Sequence, residues 1–383
     1  MGDSRVEESQ IQLVPPEEFL AAKVPVSDIA VYTASSAPIG CYDHLQRVVY
    51  APYHASRTGF GEQAAVFALT RIPLDKPSNT VSYVLLESDE VVDGQSYHWP
   101  IDGSTIFRNG KVRVFFLANG DNYYFMDWNP VSCKRSEIGQ VKCRRDGINA
   151  EPLTASAVQA YLESKGMSGF NLLFDSHEHI INTAKPAWET TDDGERTGAF
   201  YGAITSGQAQ PIIYRCEDGE TFDFLGCIPE LASYECQVAF LNGIIYALLR
   251  GAKGDNFWFS DDGGHHFQPA GHLEMSETRP QLMAFQGKIL IGYSEKGISP
   301  NRVRDGRNNL RILLGKGTDL SAYDKIYELT DPIGFVYFDF IDCDGKILAI
   351  WSNSERYPDK PVWGCLQGKD ALFCSWLMRP NGR

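Results

Sequence analysis

The sequence predicts an all-β protein that is built from short antiparallel strands. Apolar residues make up 43% of its 383 residues and aromatic residues 12%, and 35 glycines provide for many tight turns. That composition is typical of a large β-rich domain with frequent chain reversals. Two further features, a repeated hairpin unit and an acidic glycine turn, specify the architecture.

The repeated unit consists of a short apolar strand, a glycine turn and a second apolar strand. Clear copies span Thr105–Phe116, Val238–Leu248, Leu282–Tyr293 and Phe340–Trp351, and looser copies surround Arg47–Tyr50 and Ala199–Ile204. Successive turn glycines are about 44 and about 58 residues apart, which leaves room for four short strands and their loops. The repeat therefore predicts a six-bladed β-propeller of four-stranded antiparallel blades, with small helical insertions. The strands after the turns, residues 112–117, 244–249, 288–293 and 346–351, are expected to line its axis.

The acidic glycine turn has the pattern Ser-x-Asp-x-Gly-x-x-Phe between Ser260 and Phe267. Asp262 is expected to accept hydrogen bonds from turn amides, and Gly264 to adopt the positive φ that the turn requires. This pattern resembles the Asp-box of the sialidase-like (BNR-repeat) β-propellers, where it joins outer strands of a blade. A degenerate copy covers residues 218–224, with Glu217 expected in place of the Asp and Arg215 in place of the Ser.

Two helices and one domain complete the predicted organisation. Residues 1–40 are expected to form an N-terminal extension with a short helix at Pro15–Ala22, which packs on a single propeller domain of residues 41–383. Thr154 is a suitable N-cap and Gly166 a suitable stop for a helix within an insertion at about residues 150–168. The start of the chain has no leader pattern and no long apolar run, which predicts a cytoplasmic protein without a membrane partner, or a secreted one if a leader has been removed.

Net charge and cysteine spacing narrow the classes of partner. A net charge of −14 argues against nucleic acid as a partner, whereas a locally basic channel would still accept an oligo- or polysaccharide. The nine cysteines include no Cys-x-x-Cys pair, and most are expected to pack as small apolar side chains. Two histidines in a His-Glu-His run offer too few ligands for a metal site. Neither a metal nor another cofactor is therefore predicted.

The candidate site consists of polar residues that flank the hairpin strands, because loops near a propeller axis carry function. The predicted catalytic residues are His177, His179, Tyr201, Glu235 and Asp339. The predicted substrate-binding residues are His44, His54, Arg57, Glu178, Arg250, Arg279 and Tyr337. His177, His179, Glu235 and Arg279 are expected to share one concave pocket, with His54 and Tyr337 at its mouth.

The resemblance to sialidases implies a chemistry for this pocket. Sialidases use a tyrosine paired with a glutamate, an acidic aspartate and three arginines that bind the substrate carboxylate, and Arg250 and Arg279 fit two of those arginines. The Arg-Ile-Pro tripeptide at Arg71 matches the motif of the first sialidase arginine. It follows a long strand, however, so Arg71 is expected on an outer strand. The sequence predicts a glycoside hydrolase that cleaves a glycosidic bond in an acidic saccharide.

Two alternatives remain open. A lyase would cleave the chain by β-elimination at a uronic acid. The residue types for that reaction resemble those of propeller ulvan lyases, and this chain would supply them as His54, His177, His179, Tyr201, Arg215 and Arg279. A non-catalytic glycan-binding propeller would instead use Trp99, Trp188, Trp258 and Trp351 as stacking surfaces.

Overall fold

The structure, a computed structural model, consists of six β-sheets arranged as blades around one axis. It describes residues 12–27, 34–36, 38–56, 66–120, 122–145, 149–167, 182–191, 195–205, 208–233, 235–276, 278–296, 309–330, 337–352 and 372–378. Each blade contains four main antiparallel strands. The predicted all-β class and the six-bladed propeller are therefore confirmed.

The first third of the described chain forms blades 1 and 2. Helix α1 (Pro16–Ala21) and strand β1 (Val24–Pro25) come first. Blade 1 contains β2 (Ala34–Ser36), β3 (Cys41–Asp43), β4 (Val48–Ser56), β5 (Val66–Pro73) and β6 (Val81–Glu87), with a 3-10 helix at Pro77–Asn79. A separate hairpin, β7 (Glu90–Val92) and β8 (Gln95–Tyr97), precedes blade 2, which contains β9 (Ile101–Arg108), β10 (Lys111–Ala118), β11 (Asn122–Asn129), β12 (Lys134–Arg135) and β13 (Gly139–Gln140).

Blade 3 carries additional elements. Strands β14 (Lys142–Arg144) and β15 (Glu151–Pro152) extend its outer edge, and helix α2 (Ala155–Ser164) packs on it. Its main strands are β16 (Asn182–Thr183) with β17 (Ala187–Thr190), β18 (Arg196–Thr205), β20 (Ile212–Cys216) and β21 (Thr221–Cys227). Strands β19 (Gln208–Ala209) and β22 (Ala232–Ser233) pair with each other. The predicted helix starts, Pro in the first turn of α1 and the Thr154 N-cap of α2, are confirmed.

The last three blades are more regular. Blade 4 contains β23 (Cys236–Leu241), β24 (Ile244–Leu249), β25 (Phe257–Ser260) and β26 (Gln268–Gly271). Blade 5 contains β27 (Gln281–Phe285), β28 (Lys288–Tyr293), β29 (Asn309–Gly315) and β30 (Asp324–Thr330), with a 3-10 helix at Leu320–Ala322. Blade 6 contains β31 (Phe338–Asp342), β32 (Ile347–Ser352) and β33 (Leu372–Trp376), and its fourth strand is β1.

The strands that surround the axis are β3, β9, β16 with β17, β23, β27 and β31. The sequence-based assignment of residues 112–117, 244–249, 288–293 and 346–351 to the axis is therefore wrong by one strand, since these segments are the second strands of their blades. Second strands are covered by neighbouring blades on both faces and are the more apolar. First strands border the channel and carry polar side chains such as Gln237, Gln281 and Asp339.

This shift leaves most of the predicted flanking residues at one end of the molecule. A hairpin brings the start of its first strand and the end of its second strand to the same end. We call that end, where the inner strands begin, the start rim. The opposite end, where the glycine turns lie, is the turn rim. The turns themselves pair a positive-φ residue with glycine, as in Asn242-Gly243 (φ 52° and 77°) and Gln286-Gly287 (φ 49° and 69°), which suits tight two-residue hairpins.

The N-terminal segment closes the ring. Val24 and Pro25 of β1 pair with the last strand, and the Val26 amide donates to the Leu372 carbonyl at 2.9 Å. Phe19 of α1 is fully buried and stacks on Trp351 with ring centroids 5.1 Å apart. Blade 6 is therefore assembled from both ends of the described chain, and β1 is its outermost strand.

The acidic turn between β25 and β26 has the predicted hydrogen bonds. Asp262 Oδ1 accepts from the amides of His265 (3.1 Å) and His266 (3.0 Å), and Ser260 Oγ accepts from the Gly264 amide (2.9 Å). Gly264 has a φ of 93°, and Phe267 is buried between blades 3 and 4. These hydrogen bonds hold the two outer strands of blade 4 together.

In blade 3 the corresponding turn differs from the prediction in one residue. Asp218, rather than Glu217, occupies the position of the binding carboxylate, because its Oδ1 accepts from the amides of Glu220 and Thr221, both at 2.7 Å. Glu217 instead pairs with Arg215. The backbone conformation decides which of the two adjacent carboxylates points into the turn. The sequence alone does not show which one that is.

Cysteine burial and helix length agree with a protein whose strands supply its core. The described cysteines are free, and burial raises the pKa of the Cys143, Cys216 and Cys374 thiols to about 12, so they pack as uncharged side chains. No helix within the described ranges combines the length and the apolar composition that a membrane crossing requires.

Replacing Asp262 by Ala is expected to lower the free energy of unfolding by about 1 kcal/mol at pH 7, because turn amides lose a charged acceptor. The backbone hydrogen bond from His266 is the main reason why the pKa of Asp262 lies well below its usual range. The stabilisation is therefore present above the unfolded pKa of about 4 and decreases as the pH falls below it. Denaturant titrations at pH 7 and at pH 2.5 measure the difference. Asp261→Ala removes the same charge and is the control, and equal effects of the two variants would contradict this role.

Replacing Phe19 by Ala is expected to destabilise the whole propeller by about 3 kcal/mol, because the ring fills the contact that attaches α1 to blade 6. Glu17 lies on the exposed face of the same helix, so Glu17→Ala is the matched control. Thermal and denaturant unfolding measure both variants. A Phe19→Ala protein as stable as the control would show that ring closure does not depend on this helix.

Candidate functional site

The start rim of blade 4 carries a buried ion pair. Glu235 lies directly before β23 and Arg250 directly after β24, so the hairpin places them side by side. Arg250 Nη1 donates to Glu235 Oε2 at 2.7 Å, and both residues are more than nine-tenths buried. The Arg250 amide also donates to the Glu235 carbonyl at 2.9 Å, which fixes the two residues through their backbones. The sequence predicted both as site residues, and the structure brings them together.

Blades 5, 6 and 1 meet at Arg279, which precedes β27. Its Nη2 donates to the Pro38 carbonyl of blade 1 at 2.6 Å, and its guanidinium lies over the Tyr337 ring of blade 6, 5.4 Å from the centroid. Arg279 is only 4% exposed, and its Nε atom has no hydrogen-bond partner among the described residues. The structure thus brings Arg279 and Tyr337 together and leaves a buried donor on the arginine.

A further buried arginine at the start rim, Arg311 of β29, was missed by the sequence analysis. Its Nε donates to Glu295 and its Nη2 pairs with Glu328, both at 2.9 Å, and its Nη1 donates to the Leu329 carbonyl at 3.2 Å. All three guanidinium nitrogens of Arg311 have partners, and these contacts connect β29 to its neighbouring strands in blade 5. The signal in the sequence is a single arginine within the apolar strand Asn309–Gly315.

An ion pair crosses the axis between blades 3 and 6, which face each other in a six-bladed ring. Lys185 Nζ donates to Asp339 Oδ1 at 2.8 Å and also contacts the Phe340 carbonyl. The Gly40 amide of blade 1 donates to Asp339 Oδ2 at 2.7 Å. Asp339 is completely buried, and both of its carboxylate oxygens accept hydrogen bonds from the protein. Its contacts therefore suit a structural role beneath the start rim rather than the predicted catalytic one. Lys185 has no recognisable motif around it and was not predicted.

Tyr201, predicted as catalytic, belongs to a network inside blade 3. Its hydroxyl donates to Glu189 Oε1 at 2.8 Å, and Arg215 donates to both oxygens of the same carboxylate at 3.0 and 2.9 Å. The hydrogen bonds from Arg215 lower the pKa of Glu189 to about 2, and burial raises the pKa of Tyr201 to about 12. Tyr201 thus stays protonated as a donor at neutral pH, and none of its described contacts is with another predicted site residue.

The two predicted histidines of blade 1 lie at opposite ends of that blade. His44 follows the inner strand β3 at the turn rim, where its ring makes an edge contact with Phe107 at 5.6 Å. His54 lies near the far end of β4, which places it towards the start rim. His44, predicted as a substrate-binding residue before the inner strand, instead follows that strand at the opposite rim, because the short strand β3 was not recognised and the turn after it was taken for a loop before the inner strand.

Several predictions concern other parts of the chain. Arg57, His177, Glu178 and His179 lie outside the described residues, so their place in the pocket stays a prediction. Arg71 is in β5, the third strand of blade 1, as expected for a residue away from the axis. Within the described ranges, no group of three or more His, Cys, Asp and Glu side chains could hold a metal ion.

Sequence comparisons identify no relatives of this chain. No protein-family profile matches it, and no characterised protein matches its sequence. Solved structures do match its fold.

Three of those structures illustrate the likeness. A Trypanosoma rangeli sialidase in complex with the inhibitor DANA matches 92% of this chain with a TM-score of 0.59 and 13% identity. A variant of the NanB sialidase from Streptococcus pneumoniae matches 98% of this chain and 73% of its own, with a TM-score of 0.56 and 14% identity. A Dyadobacter fermentans protein of unknown function matches 94% of this chain and 98% of its own, with a TM-score of 0.58 and 11% identity.

The chain spans 57% of the length of the Trypanosoma rangeli sialidase. At 11–14% identity the likeness shows the fold alone. The fold of this chain is therefore a β-propeller similar to that of the sialidases.

Proposed function

We propose that this protein is a glycoside hydrolase that acts on an acidic saccharide at the start rim of the propeller. One observation carries the proposal: three adjacent blades place the Glu235–Arg250 pair, Arg279 and Tyr337 at the beginnings of neighbouring inner strands. Burying charged groups is costly unless they are paired or used. Their collection at one rim supports a binding role there.

Recognition of an acidic sugar is assigned to Arg279. A guanidinium binds a carboxylate through charge-assisted hydrogen bonds, and these bonds are strong where water is excluded. Arg279 is held by Pro38 and Tyr337, and its Nε has no partner in the part of the chain that the structure describes, so it is oriented before a ligand arrives. Arg250 is paired with Glu235, which fixes the position of that carboxylate beside the rim.

Bond cleavage is assigned by resemblance to sialidases, in which a tyrosine paired with a glutamate serves as nucleophile. Tyr337 and Glu235 are assigned to these roles, because Glu295 and Glu328 at the same rim are engaged with Arg311 of β29. A proton donor for the leaving oxygen is also required. His177 and His179, together with Glu178, remain the predicted source of that proton, while Asp339 anchors the floor.

The contacts favour hydrolysis over the two alternatives. The lyase hypothesis used Tyr201 and Arg215, whose polar groups are bound to Glu189. The glycan-binding hypothesis used four tryptophans as stacking surfaces, and two of them, Trp258 and Trp351, are at most 8% exposed within the core. The described contacts of these side chains are with the protein itself, whereas Arg279 at the start rim keeps an Nε donor that has no partner among the described residues.

Incubation with a panel of sialylated and uronate-containing oligosaccharides is expected to release reducing ends without a gain in absorbance near 235 nm. A hydrolase transfers water to the anomeric carbon and forms no conjugated double bond, whereas elimination from a uronate forms one. Reducing-sugar release and absorbance are followed in the same samples. A gain in absorbance would show a lyase, and binding without cleavage would show a glycan-binding propeller.

Replacing Arg279 by Met or Glu235 by Gln is expected to lower turnover about 10²-fold or more, the usual size of an electrostatic or acid–base contribution. Arg279→Lys keeps the charge but loses the fork of donors, so an intermediate loss is expected. Arg144 is an exposed arginine on the outer edge of blade 3, and Arg144→Gln is the matched control. Melting temperatures separate unfolding from lost chemistry. Folded Arg279→Met and Glu235→Gln proteins with the turnover of the control would overturn the assignment of the start rim.

A further inference from the structure

The channel contains a cavity of about 460 Å³ on the turn-rim side of the Lys185–Asp339 pair. Residues from all six inner strands line it, and Lys185 and Gly40, both bound to Asp339, lie at its inner end. This volume is in the range of small-molecule sites. The predicted catalytic residues at the start rim do not line it, so the cavity is a separate feature of the fold.

Arg196, the first residue of β18, provides a positive charge at this cavity. Its guanidinium lies over the Trp188 ring, 5.1 Å from the centroid, and it is accessible to solvent. Among the described residues it has neither an ion pair nor a hydrogen bond to its side chain. The ring contact orients the guanidinium and leaves its donors available, an arrangement that suits a planar anion.

None of the other described ionisable groups of the cavity forms an ion pair with Arg196. Lys185 is committed to Asp339, and burial raises the pKa of the Cys41 thiol to about 12, so that thiol is neutral. Asp342 accepts a hydrogen bond from the Gly345 amide at 2.8 Å, and its carboxylate attracts the Arg196 guanidinium without forming an ion pair with it.

The remaining surface of the cavity is largely apolar. Phe107, Phe240, Met283 and Ile341 line it from four different blades. We propose that this cavity binds a small organic acid with a flat apolar body, whose carboxylate pairs with Arg196 and whose body lies among these side chains. The site is independent of the proposed hydrolase site and opens at the opposite end of the propeller.

Isothermal titration with 1-naphthoate tests the proposal, with the neutral 1-naphthalenemethanol as a matched ligand of similar size. Wild-type protein is expected to bind naphthoate more tightly than the alcohol. Arg196→Gln is expected to weaken naphthoate at least tenfold and to leave the alcohol unchanged, because only the acid uses the guanidinium. Arg144→Gln removes the same charge from the outside of blade 3 and is expected to bind both ligands as the wild type does.

Two further variants locate the site. Ala284 lines the cavity, so Ala284→Phe is expected to fill it and to abolish binding of both ligands. Arg279→Lys changes the start rim and is expected to leave naphthoate binding unchanged. The proposal is wrong if wild-type protein binds no naphthoate, if Arg196→Gln and Ala284→Phe bind it normally, or if Arg279→Lys loses it.

Discussion

The division of the channel depends on one ion pair, between Lys185 of blade 3 and Asp339 of blade 6. Burying two charges in a channel costs desolvation free energy. Their mutual attraction offsets this cost only when both groups also make further hydrogen bonds. Here the Gly40 amide binds the second carboxylate oxygen, and the Phe340 carbonyl accepts from the ammonium group. The pair therefore links three blades across the axis. It also separates the polar start rim from the cavity at the turn rim.

Convergence of residues from distant parts of the chain requires a closed ring. Arg279 of blade 5 donates to Pro38 of blade 1 across the edge of blade 6, where it covers Tyr337. Blade 6 takes its fourth strand from the N-terminal segment, so this contact exists only when both ends of the sheet have met. A stack of separate blades would leave the same side chains apart. The geometry of the start rim therefore depends on closure of the ring.

Pairing within the blades explains which polar residues remain available to a ligand. Glu189 collects the hydroxyl of Tyr201 and the guanidinium of Arg215, so these groups hold blade 3 together. Arg279 and Arg196 differ, since each is positioned by an aromatic ring and keeps donors without partners among the described residues. Residue type alone does not separate these two groups of arginines and tyrosines. Their surroundings do.

Local patterns in the sequence were sufficient for the fold. Strand alternation, glycine turns at positive φ and the Asp262 turn depend on neighbouring residues, and a repeat of such units predicts six blades. The same reasoning placed Glu235, Arg250 and Arg279 at one rim, because the flanks of a hairpin share an end whichever strand is innermost. It misplaced His44, since a three-residue strand is too short to leave a periodic signal.

Tertiary structure decided which strand faces the axis, which carboxylate is occupied and where the cavity lies. First and second strands of a blade both consist mainly of apolar residues, and only the packing of neighbouring blades shows which one borders the channel. Asp339 looked like a free acid because its partner Lys185 is more than 150 positions away in the sequence. Contacts of that range have no local signature, since they arise only when the ring closes.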